Sequence, residues 1–129
     1  MIQIQTDAAF RQDTKEAAAG IVFVKDKIQQ ALKGPLPPCQ DNHQAEFLAL
    51  IWGLKQVQEE LKDGSLIEIQ SDSKLLVSSL QKRYAKHYQE EVDAILDLLP
   101  NPELTFFVWV RDGQNKGPHQ LAWQRLNQQ

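Results

Sequence analysis

The chain has 129 residues, 42% apolar and 24% charged, with a formal net charge of −3. That suits one domain, 1–129, burying roughly two-thirds of its unfolded surface, and the acidic balance argues against a protein whose main task is gripping nucleic acid by charge, although a local basic patch stays compatible with it. The lone cysteine, Cys39, excludes a disulfide framework within one chain and fits a cytoplasmic location. The alternating polar start is no signal peptide, no apolar run reaches membrane-spanning length, and nothing calls for more than a monomer.

Residues 2–10, IQIQTDAAF, alternate, with Ile2, Ile4 and Thr6 on one side and Gln3, Gln5 and Asp7 on the other, which predicts a strand. After a polar turn, residues 17–25 predict a second strand. Asp26-Lys27 then suits a tight hairpin into a third over 28–32, and Gly34 to Pro38 are expected to stop regular structure. Asp41 or Asn42 caps a helix expected to run to about Lys62, ended by Asp63-Gly64. Residues 65–71 predict a strand with Ile67 and Ile69 on one face and Glu68, Gln70 and Asp72 in phase on the other. Helices are expected over about 73–83 and 87–99. Pro100-Asn101-Pro102 breaks the second, and the apolar run LTFFVWV, 104–110, reads as a strand covered on both faces. Pro118 fits the first turn of a last helix running to about Gln128. Three hairpin strands followed by alternating strands and helices predict an α/β fold, a five-stranded mixed sheet with helices on both faces.

Four polar residues stand where apolar structure begins or ends. Glu46 heads a helical stripe of Ala49, Leu50, Leu54, Val57 and Leu61, and a bare charge there must find a partner, a proton or a cation. Asp7 and Asp72 lie on the polar phase of their strands, and His119 heads a second stripe of Ala122, Trp123 and Leu126. Taken singly, each has an ordinary explanation: a salt bridge, a helix cap, a hydrogen-bonded core histidine. Taken together, two strand-end aspartates and two helix-head residues can converge on one sheet edge. Acids brought together raise one another's pKa unless divalent cations neutralise them. Oxygen-rich donors suit Mg²⁺ or Mn²⁺, and a pair of such ions is the usual clamp for phosphodiester hydrolysis.

These residues also carry a resemblance. Thr6-Asp7-Ala8-Ala9, the run Asp41-Asn42-His43-Gln44-Ala45-Glu46-Phe47-Leu48-Ala49-Leu50, Ser71-Asp72-Ser73-Lys74, and Asn115-Lys116-Gly117-Pro118-His119-Gln120-Leu121-Ala122 resemble, in order, the four motifs of the type 1 ribonuclease H family. The resemblance covers essentially the whole chain and is most specific in the second and third motifs. It implies a ribonuclease H-like fold and cleavage of the RNA strand of an RNA/DNA hybrid with two metal ions, Mg²⁺ or Mn²⁺. Asp7, Glu46, Asp72 and His119 fall at the family's metal-binding and catalytic positions, and Asn42, His43 and Lys74 at substrate-binding ones.

Three departures bear on mechanism. His119 occupies a position that is acidic in the family, which removes a negative charge, adds a softer donor and predicts a tilt toward Mn²⁺ with activity falling as the imidazole protonates. The nearest substitute acid is Asp112, seven residues earlier in the preceding loop. That loop, Arg111 to Asn115, lacks the histidine some members carry. The connection from Gln81 to Tyr88 also replaces the long basic protrusion of others, so hybrid binding is expected to be weak and salt-sensitive. The competing readings are a non-catalytic nucleic-acid-binding module of the same fold and a same-fold nuclease acting on another nucleic acid such as double-stranded RNA.

Overall fold

In the computed structural model, which describes residues 1–128, the alternating opening becomes an antiparallel meander of β1 (Ile2–Phe10), β2 (Ala17–Lys25) and β3 (Ile28–Leu36). The hairpin between β2 and β3 turns on Asp26 and Lys27, both at positive φ (53° and 65°), the backbone a two-residue hairpin requires. Helix α1 (Asn42–Gln56) leads to β4 (Ile67–Ser71), then α2 (Lys74–Lys82), α3 (Gln89–Leu98), β5 (Thr105–Trp109) and α4 (Lys116–Leu126). The sheet order is β3-β2-β1-β4-β5, with β4 parallel to both β1 and β5.

Register decides which face is which. Ile4 pairs with Phe23 on one side and Ile69 on the other, and Ile2 pairs with Ile67, so one face of the sheet is a continuous apolar floor. Phe47, Leu50 and Leu54 of α1 and Leu76 and Leu80 of α2 pack on it, and Val92 and Ile95 of α3 extend the same core against α1. The whole stripe below Glu46 is buried, as its helical spacing predicts. The opposite face carries α4, whose Ala122 and Leu126 rest on Ala9 and Ala18. Beyond α4 that face is polar: Gln3 Nε2 donates to Glu68 (3.1 Å), Gln5 Nε2 to Gln70 (3.0 Å) and Gln70 Nε2 to Glu68 (2.6 Å).

Three expectations are corrected. Strand β3 does not stop at residue 32 but continues through Gly34 and Pro35, paired with Ala19 and Ala18. It is an edge strand, where a missing proline N–H costs no ladder bond, and Gly34 leaves room for the Trp52 ring, which a Cβ would meet at 2.2 Å. Helix α1 does not reach Lys62; it ends at Gln56, and a 3₁₀ segment over Gln58–Asp63 follows, closed by left-handed Gly64 (φ 83°). Strand β5 is not covered on both faces: Phe106 is 50% exposed, because β5 is the other edge and α4 lies over β1, β2 and β3.

Gly20 sets how close α4 comes. It lies opposite Asp7 on β2, and a Cβ there would stand 2.0 Å from the Pro118 carbonyl oxygen and 2.6 Å from the Ala122 nitrogen. Both neighbours are backbone and cannot rotate away. Gly20→Ala is therefore expected to cost about 1–3 kcal/mol of overpacking, lowering the melting temperature by roughly 5–15 °C. It should also push His119, next to Pro118, off the sheet. A thermal melt equal to the parent's would mean that α4 shifts at no cost.

Candidate active site

Asp7 lies within β1 rather than at its end. The β1–β4 ladder closes at the Gln5–Gln70 pair, whereas β1 stays bonded to β2 through Phe10. Asp7 thus sits just past the point where β4 parts from β1, and Asp72 directly follows the last residue of β4, Ser71. From the other side α1 brings in Glu46. Of the two possible caps, Asp41 is the N-cap, accepting from Gln44 N at 2.8 Å, and Tyr88 Oη–H donates to its other oxygen at 2.8 Å. The Tyr88 ring also stacks on Phe47 at 5.0 Å, so the residue at the head of α3 fixes the position of the first turn of α1.

One ligand atom each of Asp7, Glu46 and Asp72 lies within 4.8 Å of the others. Asp7 and Glu46 are buried, Asp72 partly so. Burial, then the charges of Asp7 and Asp72, push the Glu46 carboxyl well above the usual carboxylate range. Burial also raises Asp7, against the lowering pull of its hydrogen bonds from Ala8 N (2.9 Å) and His119. Asp72 is pushed up to about 7 by burial and by its contact with Asp112. Glu46 Oε2 is buried with no hydrogen-bond partner. Three crowded carboxylates with an orphaned oxygen form a donor set that fits a hard divalent cation, which would supply the missing partner and cancel the repulsion.

His119 is brought to the same place by α4, but it stands beside the trio rather than among its ligand atoms. Its Nδ1 lies 3.0 Å from Asp7 Oδ2. Its side chain is 57% exposed, so it lies on the cleft rim instead of heading a buried stripe. In the tautomer whose Nδ1 donates to that carboxylate, the lone pair is on Nε2. Asn42, His43 and Lys74 line the cleft and are exposed. Asp112 lines it too, so the loop acid joins the site through Asp72.

Two supporting residues are not singled out by spacing alone. Asn115 is fully buried, and its Nδ2 donates to the Thr6 carbonyl at 2.9 Å, while its own carbonyl accepts from His119 N at 3.3 Å. It therefore ties the start of α4 to the residue before Asp7. Its place in the fourth motif was the one available signal. Trp109 Nε1–H donates to the Asp72 carbonyl at 3.1 Å, a contact set by β4–β5 pairing and invisible in the sequence.

A five-stranded mixed sheet with three acids gathered where β1 and β4 part is the layout of a ribonuclease H-type domain. Solved structures agree on the fold: RNase H1 of the halophilic archaeon Halobacterium salinarum superposes with a TM-score of 0.85 at 23% identity, covering 99% of this chain and 98% of that one. LC11-RNase H1 in complex with an RNA/DNA hybrid does so at 0.82 and 23%, covering 98% and 97%. The family model described as "Reverse transcriptase-like" matches residues 5–124, and the chain belongs to that family. Its relatives include the Enterococcus faecalis protein described as "Putative hydrolase EbsB", 35% identical over 98% of this chain and 94% of its own length. A ribonuclease H of Trichodesmium erythraeum is 31% identical over 68% of this chain and 53% of its own length.

Proposed function

We propose that the protein is an endoribonuclease that hydrolyses the RNA strand of RNA/DNA hybrids with two divalent cations, Mg²⁺ or Mn²⁺. The observation that carries this reading is the Asp7–Glu46–Asp72 cluster, with its raised pKa values and the orphaned Glu46 oxygen. The relative named ribonuclease H and the neighbour bound to a hybrid point to the substrate.

Asp7, Glu46 and Asp72 would hold the cations, and His119 would add a fourth donor from the cleft rim through its Nε2. When bound, the cations supply Lewis acidity to the scissile phosphate and lower the pKa of the attacking water. Glu46, reaching in from α1, would add its carboxylate to those of the two aspartates as a cation donor. His119 hydrogen-bonds Asp7 and so orients that carboxylate. Asn42 and His43, exposed on the first turn of α1, offer side-chain hydrogen bonds to the hybrid, where the 2′-hydroxyls distinguish the RNA strand. The Lys74 ammonium meets a phosphate. No helix among the described residues is long and apolar enough to cross a membrane. A single buried cysteine suits the cytoplasm.

The test is to incubate the protein with labelled RNA/DNA hybrid, duplex RNA and duplex DNA in Mg²⁺ or Mn²⁺, beside Asp7→Asn. The expected result is cutting of the hybrid's RNA strand by the parent alone. Cutting of duplex RNA instead would reassign the substrate. No cutting, or equal cutting by Asp7→Asn, would overturn the enzyme reading.

A further inference from the structure

We infer that Trp109 is a positioning residue of this site: a single indole braces the Asp72 backbone with its N–H and carries the Lys74 ammonium on its ring face, presenting that lysine to a substrate phosphate. The inference rests on the hybrid-cleaving reading above.

Strands β4 and β5 run parallel with Ser71 opposite Trp109, so the last residue of β5 sits beside the point where β4 leaves the sheet. Two bonds from the end of β5 and the residue after it hold that point. Val110 N donates to the Ser71 carbonyl at 2.9 Å, and Trp109 Nε1 donates to the Asp72 carbonyl at 3.1 Å. The chain then turns at once into α2, with Ser73 as its cap on Leu76 N at 3.2 Å and Lys74 as its first residue. Lys74 Nζ lies 4.9 Å from the Trp109 ring centroid, within cation–π range. The indole therefore touches two residues of a four-residue turn, and these are the two the mechanism uses.

The chemistry explains why a tryptophan serves here. A free lysine side chain samples many rotamers, and a phosphate that must order it loses affinity. Resting the ammonium on an aromatic face narrows that sampling while leaving its N–H donors open to solvent and phosphate. The indole N–H limits the freedom of the backbone that aims the Asp72 carboxylate. Phenylalanine would keep the first effect and lose the second, and leucine would lose both. Trp109 is 42% exposed on an edge strand, so the core does not depend on it.

The experiment compares kcat and KM for cleavage of a short RNA/DNA hybrid in Mn²⁺ among the parent, Trp109→Phe, Trp109→Leu, Lys74→Ala and the Trp109→Leu/Lys74→Ala double variant, with thermal melts to establish folding. Lys74→Ala and Trp109→Leu should each raise KM by roughly three- to tenfold, and the double variant should raise it no further than the larger single change. Trp109→Phe should leave KM within about twofold and lower kcat by about threefold or more. Multiplying KM effects in the double variant, or a Trp109→Phe protein with the parent's kcat, would overturn the inference. Should Trp109→Leu not fold, the Trp109→Phe kcat decides alone. A parent that cuts no hybrid is a different failure, seen before any variant is compared, and it removes the functional reading itself.

Discussion

The Glu46→Gln protein is expected to cut hybrid at least about 1,000-fold more slowly than the parent and yet to melt at a higher temperature when metal is chelated. The loss follows from removing one of the three clustered carboxylates that would hold the cations, since each Lewis-acid contact to the reacting phosphate is worth several kcal/mol and each 1.36 kcal/mol is tenfold in rate. The gain follows from the metal-free geometry. Glu46 is buried against Asp7 and Asp72, and all three carboxyls are raised above their ordinary values. A carboxyl whose pKa is raised in the folded state favours folding while protonated, below its unfolded value. That favour is lost as pH climbs through the folded value, which for Asp72 means between 3.8 and about 7. In chelator the parent should therefore lose stability across this window. Glu46→Gln should match it near the acid end and exceed it by about 1–2 kcal/mol, roughly 3–10 °C, at pH 8. Added Mn²⁺ should raise the parent's melting temperature and leave the variant's almost unchanged. A variant that melts below the parent at pH 8 in chelator would show that Glu46 is held by an ordinary structural partner.

The second large effect concerns His119. His119→Ala should lower hydrolysis by about 10- to 100-fold, the usual scale for removing a group that orients a ligating carboxylate. His119→Asp should move metal preference from Mn²⁺ toward Mg²⁺, because it replaces a softer nitrogen with a hard oxygen and restores one negative charge. The same substitution places a fourth acid beside Asp7, where the imidazole Nδ1 now lies 3.0 Å from Oδ2. Its metal-free form should therefore be less stable than the parent. The readout is the ratio of Mn²⁺ to Mg²⁺ rates in parent and variant, with melts in chelator. Equal ratios in the two proteins, or full activity of His119→Ala, would remove His119 from the chemistry.

Much of the site is legible in the sequence because helical and strand periods leave few places for a charge. Glu46 is conspicuous as the one acid at the head of a stripe that is otherwise Ala, Leu and Val, and every member of that stripe is buried. Asp72 is in phase with the polar face of its strand, and that face is the Gln3–Glu68–Gln70 ladder leading to the acids. Local pattern is silent where long-range contacts decide. The run of Gly34 and Pro35 reads as a stop signal, yet β3 continues because an edge strand tolerates proline and Trp52 occupies the space beside Gly34. The apolar run from Leu104 to Val110 reads as a doubly covered strand, but coverage depends on where α4 lands, and it lands over the meander.

The sequence by itself determined the order of strands and helices, the apolar faces of β1, β4 and α1, and the four residues that must either pair or bind something, since periodicity and the cost of burying charge act locally. Only the tertiary structure decided that Asp7, Glu46 and Asp72 share one 4.8 Å cluster while His119 stands on its rim. It also decided that Asn115, Tyr88 and Trp109 hold the pieces in place. The physical reason is register. Which residue of β1 faces the gap left by β4, and how near Gly20 lets α4 approach, depend on pairings between strands far apart in the chain, and no local pattern encodes them.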